Sequence, residues 1–159
     1  MLNERKRKWF DAIVWSMSIL FAAFLVGSAH AGSHRHSIDD AAYRAECGSC
    51  HVAYPPEMLG ARDWRAIMRG LDRHFGTDAS LPDAKRADIT TYLEGASGET
   101  STTASTPRIT ETRWFRKEHA EVAGATWKLP AVRSAANCEA CHLQASRGDF
   151  DEHTVRVPR

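Results

Sequence analysis

The chain has 159 residues, 21 of them Lys or Arg and 20 Asp or Glu, so it is nearly neutral. Charges of both signs are mixed along it, which leaves no basic stripe for nucleic acid and assigns a steering field to no face. A chain of this length makes one domain or two very small ones, and segments that small need something to supplement their apolar core.

Residues 1–31 read as a secretory signal peptide. Arg5, Lys6, Arg7 and Lys8 form a positive start, and the apolar run Ala12–Val26 follows with Ser16 and Ser18 inside it. Ala29-His30-Ala31 is a small-x-small cleavage site. An uncleaved anchor is the competing reading, because the basic cluster would hold the N-terminus inside the cell. The run is short for a spanning helix. Cleavage after Ala31 is therefore expected, with export to a bacterial periplasm.

Three helices are predicted in a first lobe, residues 32–96. Ser37 caps the first, with Asp39 and Asp40 in its opening turn; it carries Tyr43 and delivers Cys47. Tyr54-Pro55-Pro56 then breaks the chain. Trp64, Met68, Leu71 and Phe75 fall at near-helical spacing, and Gly76 stops that helix. The third starts near Pro82, with Asp83 in its first turn and Ile89, Tyr92 and Leu93 on one face.

Gly95 to Pro107 is rich in Ser, Thr and Gly without apolar periodicity, so residues 97–107 read as a flexible linker. A second lobe, residues 108–159, has one clear helix. Thr110 is its N-cap and Gly124 its stop, and Phe115, His119 and Val122 share a face. The tail after it is extended or irregular.

Two pentapeptides carry the chemistry: Cys47-Gly48-Ser49-Cys50-His51 and Cys138-Glu139-Ala140-Cys141-His142. Each is a C-x-x-C-H, the attachment site of a c-type haem. Two thiols three positions apart on a helical turn both reach the vinyl groups of one porphyrin, and the adjacent histidine faces the iron. The two motifs use all four cysteines of the chain. A dithiol redox pair would want a βαβ pattern around it, which is absent. A zinc site would want four ligands at tetrahedral spacing, usually with histidines separated from the cysteines. Haem c is assembled outside the cytoplasm, so the export signal and the motifs support each other. Two covalently bound haem c groups are the expected cofactors.

The sixth ligand of each iron decides the function, because methionine raises the potential relative to histidine and an open site permits catalysis. His51 and His142 are the proximal ligands. His74 lies beside an apolar helix face just before Gly76 and is assigned to the first haem, although Asp72 and Arg73 next to it would suit a surface histidine. His119 lies between Phe115 and Val122 and is assigned to the second, although Lys117, Glu118 and Glu121 surround it and His153 competes. Met68 reads as core filler, and Met58 sits too close to His51 to cross to the other face. His34 and His36 read as part of a mobile N-terminus. Cleavage after Ala31 would leave a Gly-Ser-His start able to chelate Cu(II), to which no function attaches.

Residues 42–56 around the first motif, and Asn137 to His142 with Ala145 and Gly148 around the second, resemble the periplasmic dihaem cytochromes c of proteobacteria. Leu71-Asp72-Arg73-His74-Phe75-Gly76 and Trp114-Phe115-Arg116-Lys117-Glu118-His119 match the same pattern. The resemblance implies a mainly α fold, with a class I cytochrome c-like first lobe and a small, less regular second one. It also implies two bis-histidine, low-potential haems. Its implied partners are redox proteins, among them a membrane b-type cytochrome and a small oxygen-binding monohaem cytochrome. An electron carrier is the expected function. A small peroxidase-like dihaem enzyme with one open iron is the alternative; a histidine for each iron and the little chain left for a substrate pocket weigh against it. Retention of residues 1–31 would make the chain a tethered redox subunit with the same haem chemistry.

Overall fold

The computed structural model describes residues 36–103 and 107–159; the signal segment and His34 lie outside them. The described residues hold four short α-helices joined by one-turn 3-10 segments, and no strand. Two isolated bridges, Gly60 with Gly98 and His74 with Thr77, are their only β pairings. The fold is mainly α, as the sequence implies. Among the described residues no helix is long and apolar enough to cross a membrane.

Helix α1 spans Ala41–Cys47. Its N-cap is Asp40, whose carboxylate accepts from the Tyr43 N–H at 2.6 Å; Ser37, the expected cap, instead bonds the Asp39 side chain. A carboxylate one turn nearer the helix satisfies the orphan amide and suits the positive end of the dipole. Helix α2 spans Ala61–Arg69 and stops at Gly70, not at Gly76. Leu71–Arg73 follows as a 3-10 turn, so the apolar spacing that suggests one long helix runs across two elements. Helix α3 spans Asp83–Gly95 after Pro82, with Ile89 and Leu93 fully buried on the predicted face.

Helices this short are marginal alone and depend on tertiary packing. α2 packs on α3, closing a core of Tyr43, Leu59, Trp64, Met68, Ile89 and Leu93. The polar atoms of its two buried polar aromatic residues are paired. Trp64 Nε1 donates to the Pro56 carbonyl at 2.5 Å, and the Tyr43 hydroxyl donates to the Tyr54 carbonyl at 2.6 Å. Buried aromatic groups with satisfied polar ends are worth about 3–5 kcal/mol each against truncation to Ala.

The expected flexible linker is docked over its first half. Gly98 N–H donates to the Leu59 carbonyl, and the buried Asp63 carboxylate accepts from the Thr102 N–H at 2.5 Å. A buried carboxylate without partners would be costly, so Asp63 fixes this stretch of polar residues against α2.

Residues 107–159 hold one α-helix, α4, Arg113–Glu118. Its cap is Thr112, whose hydroxyl accepts from Phe115 N–H, and it ends at His119; Thr110 lies in the preceding 3-10 turn. The rest is 3-10 turns and loops, in which few apolar residues, Phe115, Val132 and Ala145 among them, are buried. So small an apolar set cannot order this segment unaided.

His36 is not part of a free N-terminus. Its ring nitrogen Nδ1 lies 2.6 Å from the Glu57 carboxylate, and its backbone N–H donates to the Gly148 carbonyl at 2.8 Å. Gly148 has φ +73, and a Cβ there would run into the His36 carbonyl oxygen. Gly148→Ala is therefore expected to lower stability by about 1–3 kcal/mol, read as a lower midpoint in thermal unfolding followed by circular dichroism.

Candidate functional site

Each pentapeptide coils through a single tight turn. Cys47 is the last residue of α1, and Gly48 caps the helix by donating to the Arg44 carbonyl at 3.0 Å. Cys138–Ala140 is a 3-10 turn. It is closed by bonds from the Cys141 and His142 amides to the Cys138 carbonyl, and Asn137 braces it through Val132. Burial pushes the Cys47 thiol up to about 11, with Glu46 adding to the effect. Burial does the same to Cys138, also to about 11.

The histidines fall into two pairs. The rings of His51 and His74 have centroids 6.1 Å apart and planes 24° apart. Those of His119 and His142 are also 6.1 Å apart, with planes at 72°. A ring nitrogen lies about 2 Å from a metal it ligates, so two imidazoles on opposite sides of one ion have centroids about 6 Å apart. Both pairs have that spacing. His51 Nδ1 faces the Val52 carbonyl at 2.7 Å, and His119 Nδ1 faces the Phe115 carbonyl at 2.9 Å. A carbonyl only accepts, so Nδ1 carries the proton and Nε2 keeps the lone pair a metal needs. His142 differs: its Nδ1 is buried with no hydrogen-bond partner, so no protein group fixes its tautomer. Burial lowers the pKa of His142, His119 lowers it further, and Asp149 opposes the shift. Burial, His51 and then Arg108 lower that of His74. Both changes favour neutral imidazole, the ligating form.

Local structure aims the second ring of each pair. His74 ends the 3-10 turn Leu71–Arg73. Phe75 beside it has φ 49 and Gly76 has φ 99, and the Thr77 N–H closes the turn on the His74 carbonyl at 3.0 Å. A bulky residue in the left-handed region is strained and persists only where its surroundings hold it. His119 sits at the C-cap of α4 rather than within a longer helix. Phe115 stacks on its ring at 4.0 Å and 19°, and Trp127 lies at 5.8 Å.

One cavity of about 740 Å³ takes in both pairs and all four cysteines. The eight predicted residues, Cys47, Cys50, His51, His74, His119, Cys138, Cys141 and His142, all line it. Met58 and Met68 are buried in its wall. His153, the competitor for the second iron, is exposed and away from it. Among the described residues no three His, Cys, Asp or Glu side chains converge as a metal-binding group, so the tetrahedral zinc alternative has no geometry behind it.

Tyr54 has no role in the sequence reading beyond a chain break, yet it touches both halves of the site. Its ring stacks on His51 at 4.8 Å and 23°, and its hydroxyl donates to the Ala136 carbonyl, two residues before Cys138, at 2.7 Å. Trp127 was equally silent, because nothing in its local pattern marks it. An aromatic residue three positions after a C-x-x-C-H is the one signal that could have pointed to Tyr54.

A family model described as dihaem cytochrome c matches residues 43–150. The chain belongs to the dihaem cytochrome c family. This cytochrome therefore carries two covalently bound haem c groups, and its two motifs supply the cysteines. It is similar to a diheme cytochrome c from Rhodobacter sphaeroides, with 39% identity and a TM-score of 0.65 over 72% of this chain and 99% of that one. A second Rhodobacter sphaeroides structure gives 43% and 0.63, covering 71% and 98%. The diheme cytochrome c of Shewanella baltica gives 42% and 0.67, covering 74% and 92%. No curated protein matches the chain. The donor set fits the cofactor: two facing imidazole pairs, a largely apolar wall and thiols on single turns.

Replacing Tyr54 with Phe keeps the ring on His51 and removes the bond to Ala136. The expected loss is about 0.5–1.5 kcal/mol of stability, with the haem spectrum retained. Thermal unfolding and the optical spectrum of the variant measure the two.

Proposed function

We propose that this cytochrome is an exported electron carrier that passes single electrons between redox partners through two six-coordinate haems. The observation that supports it is the pair of 6.1 Å imidazole spacings, one beside each motif. On this reading His51 and His74 hold one iron, and His119 and His142 hold the other. Cys47 and Cys50 attach the first porphyrin, and Cys138 and Cys141 the second.

The haems supply reversible one-electron chemistry at iron. The chain's own residues set its conditions. Two imidazoles per iron leave no position for substrate and hold the potential below that of a His/Met site. The carbonyls of Val52 and Phe115 fix ring orientation at one histidine of each pair. Trp64, Met68 and Leu71 on one side of the cavity, and Phe115 and Trp127 on another, shield it from water. The partners on this reading are redox proteins; a membrane b-type cytochrome and a small oxygen-binding monohaem cytochrome follow from the resemblance alone.

Oxidised protein is expected to give two low-spin signals in electron paramagnetic resonance, with no high-spin iron, and the reduced protein to bind no carbon monoxide at neutral pH. Fast stoichiometric binding would replace the carrier with an enzyme. His74→Met is expected to raise one midpoint potential and His119→Met the other; a redox titration in which neither moves removes the ligand assignment. Export predicts that the native protein begins at Gly32, as read by N-terminal sequencing, whereas a start near Met1 would make it a tethered subunit.

A further inference from the structure

The wall of the cavity is unbalanced in charge. Glu46, Asp78, Glu118 and Glu152 line it, and Arg108 is the sole Lys or Arg to do so among the described residues. Each haem c brings a pair of propionate carboxylates into this already acidic hollow. Carboxylates drawn from water want a charged donor, and a guanidinium, with five N–H groups in a fixed fork, matches a carboxylate with two parallel bonds.

Arg108 is held where it can serve the first haem. Its guanidinium carbon lies 4.2 Å from the centroid of the Phe75 ring, and that ring meets His74 edge-on at 4.8 Å and 64°. Its Nε lies 3.5 Å from the half-exposed Glu111 carboxylate, a long surface contact of little energy. The side chain is 47% exposed, so it stands at the mouth of the cavity, where a propionate reaches water. Two of the lining carboxylates have partners nearby: Glu46 pairs with Lys85, and Asp78 accepts from the Ser80 N–H at 2.9 Å.

We propose that Arg108 is the propionate-binding residue of the first haem, pairing with a carboxylate of that group from its platform on Phe75. The proposal rests on the assignment of His51 and His74 to that iron. It gives the side chain two effects. It anchors the porphyrin edge, and its positive charge disfavours the ferric state of the nearer iron relative to the farther one.

The test is a redox titration of Arg108→Gln, Arg108→Lys and Phe75→Leu, with the first-haem wave identified as the one that His74→Met moves. Arg108→Gln is expected to shift that midpoint downward and leave the other in place, with both irons low-spin. Arg108→Lys keeps the charge and should restore most of the shift. Phe75→Leu removes the ring but not the cation and should shift it less than Arg108→Gln. An unmoved first midpoint, equal shifts of both, or a Phe75→Leu effect as large as that of Arg108→Gln would overturn the proposal. High-spin iron in Arg108→Gln would do so too, by making Arg108 a prop for the His74 turn. If His74→Met moves neither wave, it is the ligand assignment that fails, and the two failures are thereby distinguished.

Discussion

Two imidazole rings held about one metal's width apart, twice over, set the terms for the rest of this molecule. Each pair joins a histidine fixed by its own cysteine turn to one delivered from a distant element, and the delivery has a structural cost. On the first side it is a bulky residue, Phe75, in the left-handed region beside Gly76. On the second it is a six-residue helix ended at His119. The backbone is bent to suit the rings, which is the usual sign that strain is kept for a site.

The two centres are not independent. Tyr54 joins the proximal side of one to the loop that opens the other. His36 ties Glu57 to Gly148, and its ring packs edge-on against Phe150, which in turn lies 5.3 Å from His142. Few apolar residues order positions 107–159, so these ties and the cofactors do what a larger core does elsewhere.

Much of this was legible in the residues. Four cysteines exhausted by two C-x-x-C-H motifs left little else for the cysteines to do, and Pro82 with Asp83 marked α3 correctly because its cues are all local. His74 stood out beside an apolar face that ends at Gly76, and His119 because it shares a face with Phe115 and Val122. What stayed hidden is what depends on partners far along the chain. Tyr54 finds Ala136 across 82 positions and Asp63 finds Thr102 across 39. No local pattern encodes either contact, so the stretch after α3 read as free linker. The end of α2 was misplaced for another reason. Leu71 and Phe75 continue the apolar spacing because they line the cavity, not because the helix goes on. A cofactor imposes its own periodicity on the side chains around it.

The two histidine pairs share a spacing but not a twist, 24° in one and 72° in the other. An imidazole donates π density to the iron d orbital perpendicular to its ring plane. Near-parallel rings raise the same orbital and split it from its twin, whereas crossed rings raise both and leave them almost degenerate. On the proposed ligation, two chemically identical haems therefore acquire different magnetic anisotropies from the fold alone. Each iron carries its own internal label, and the position of a single electron on the molecule becomes readable without any added probe.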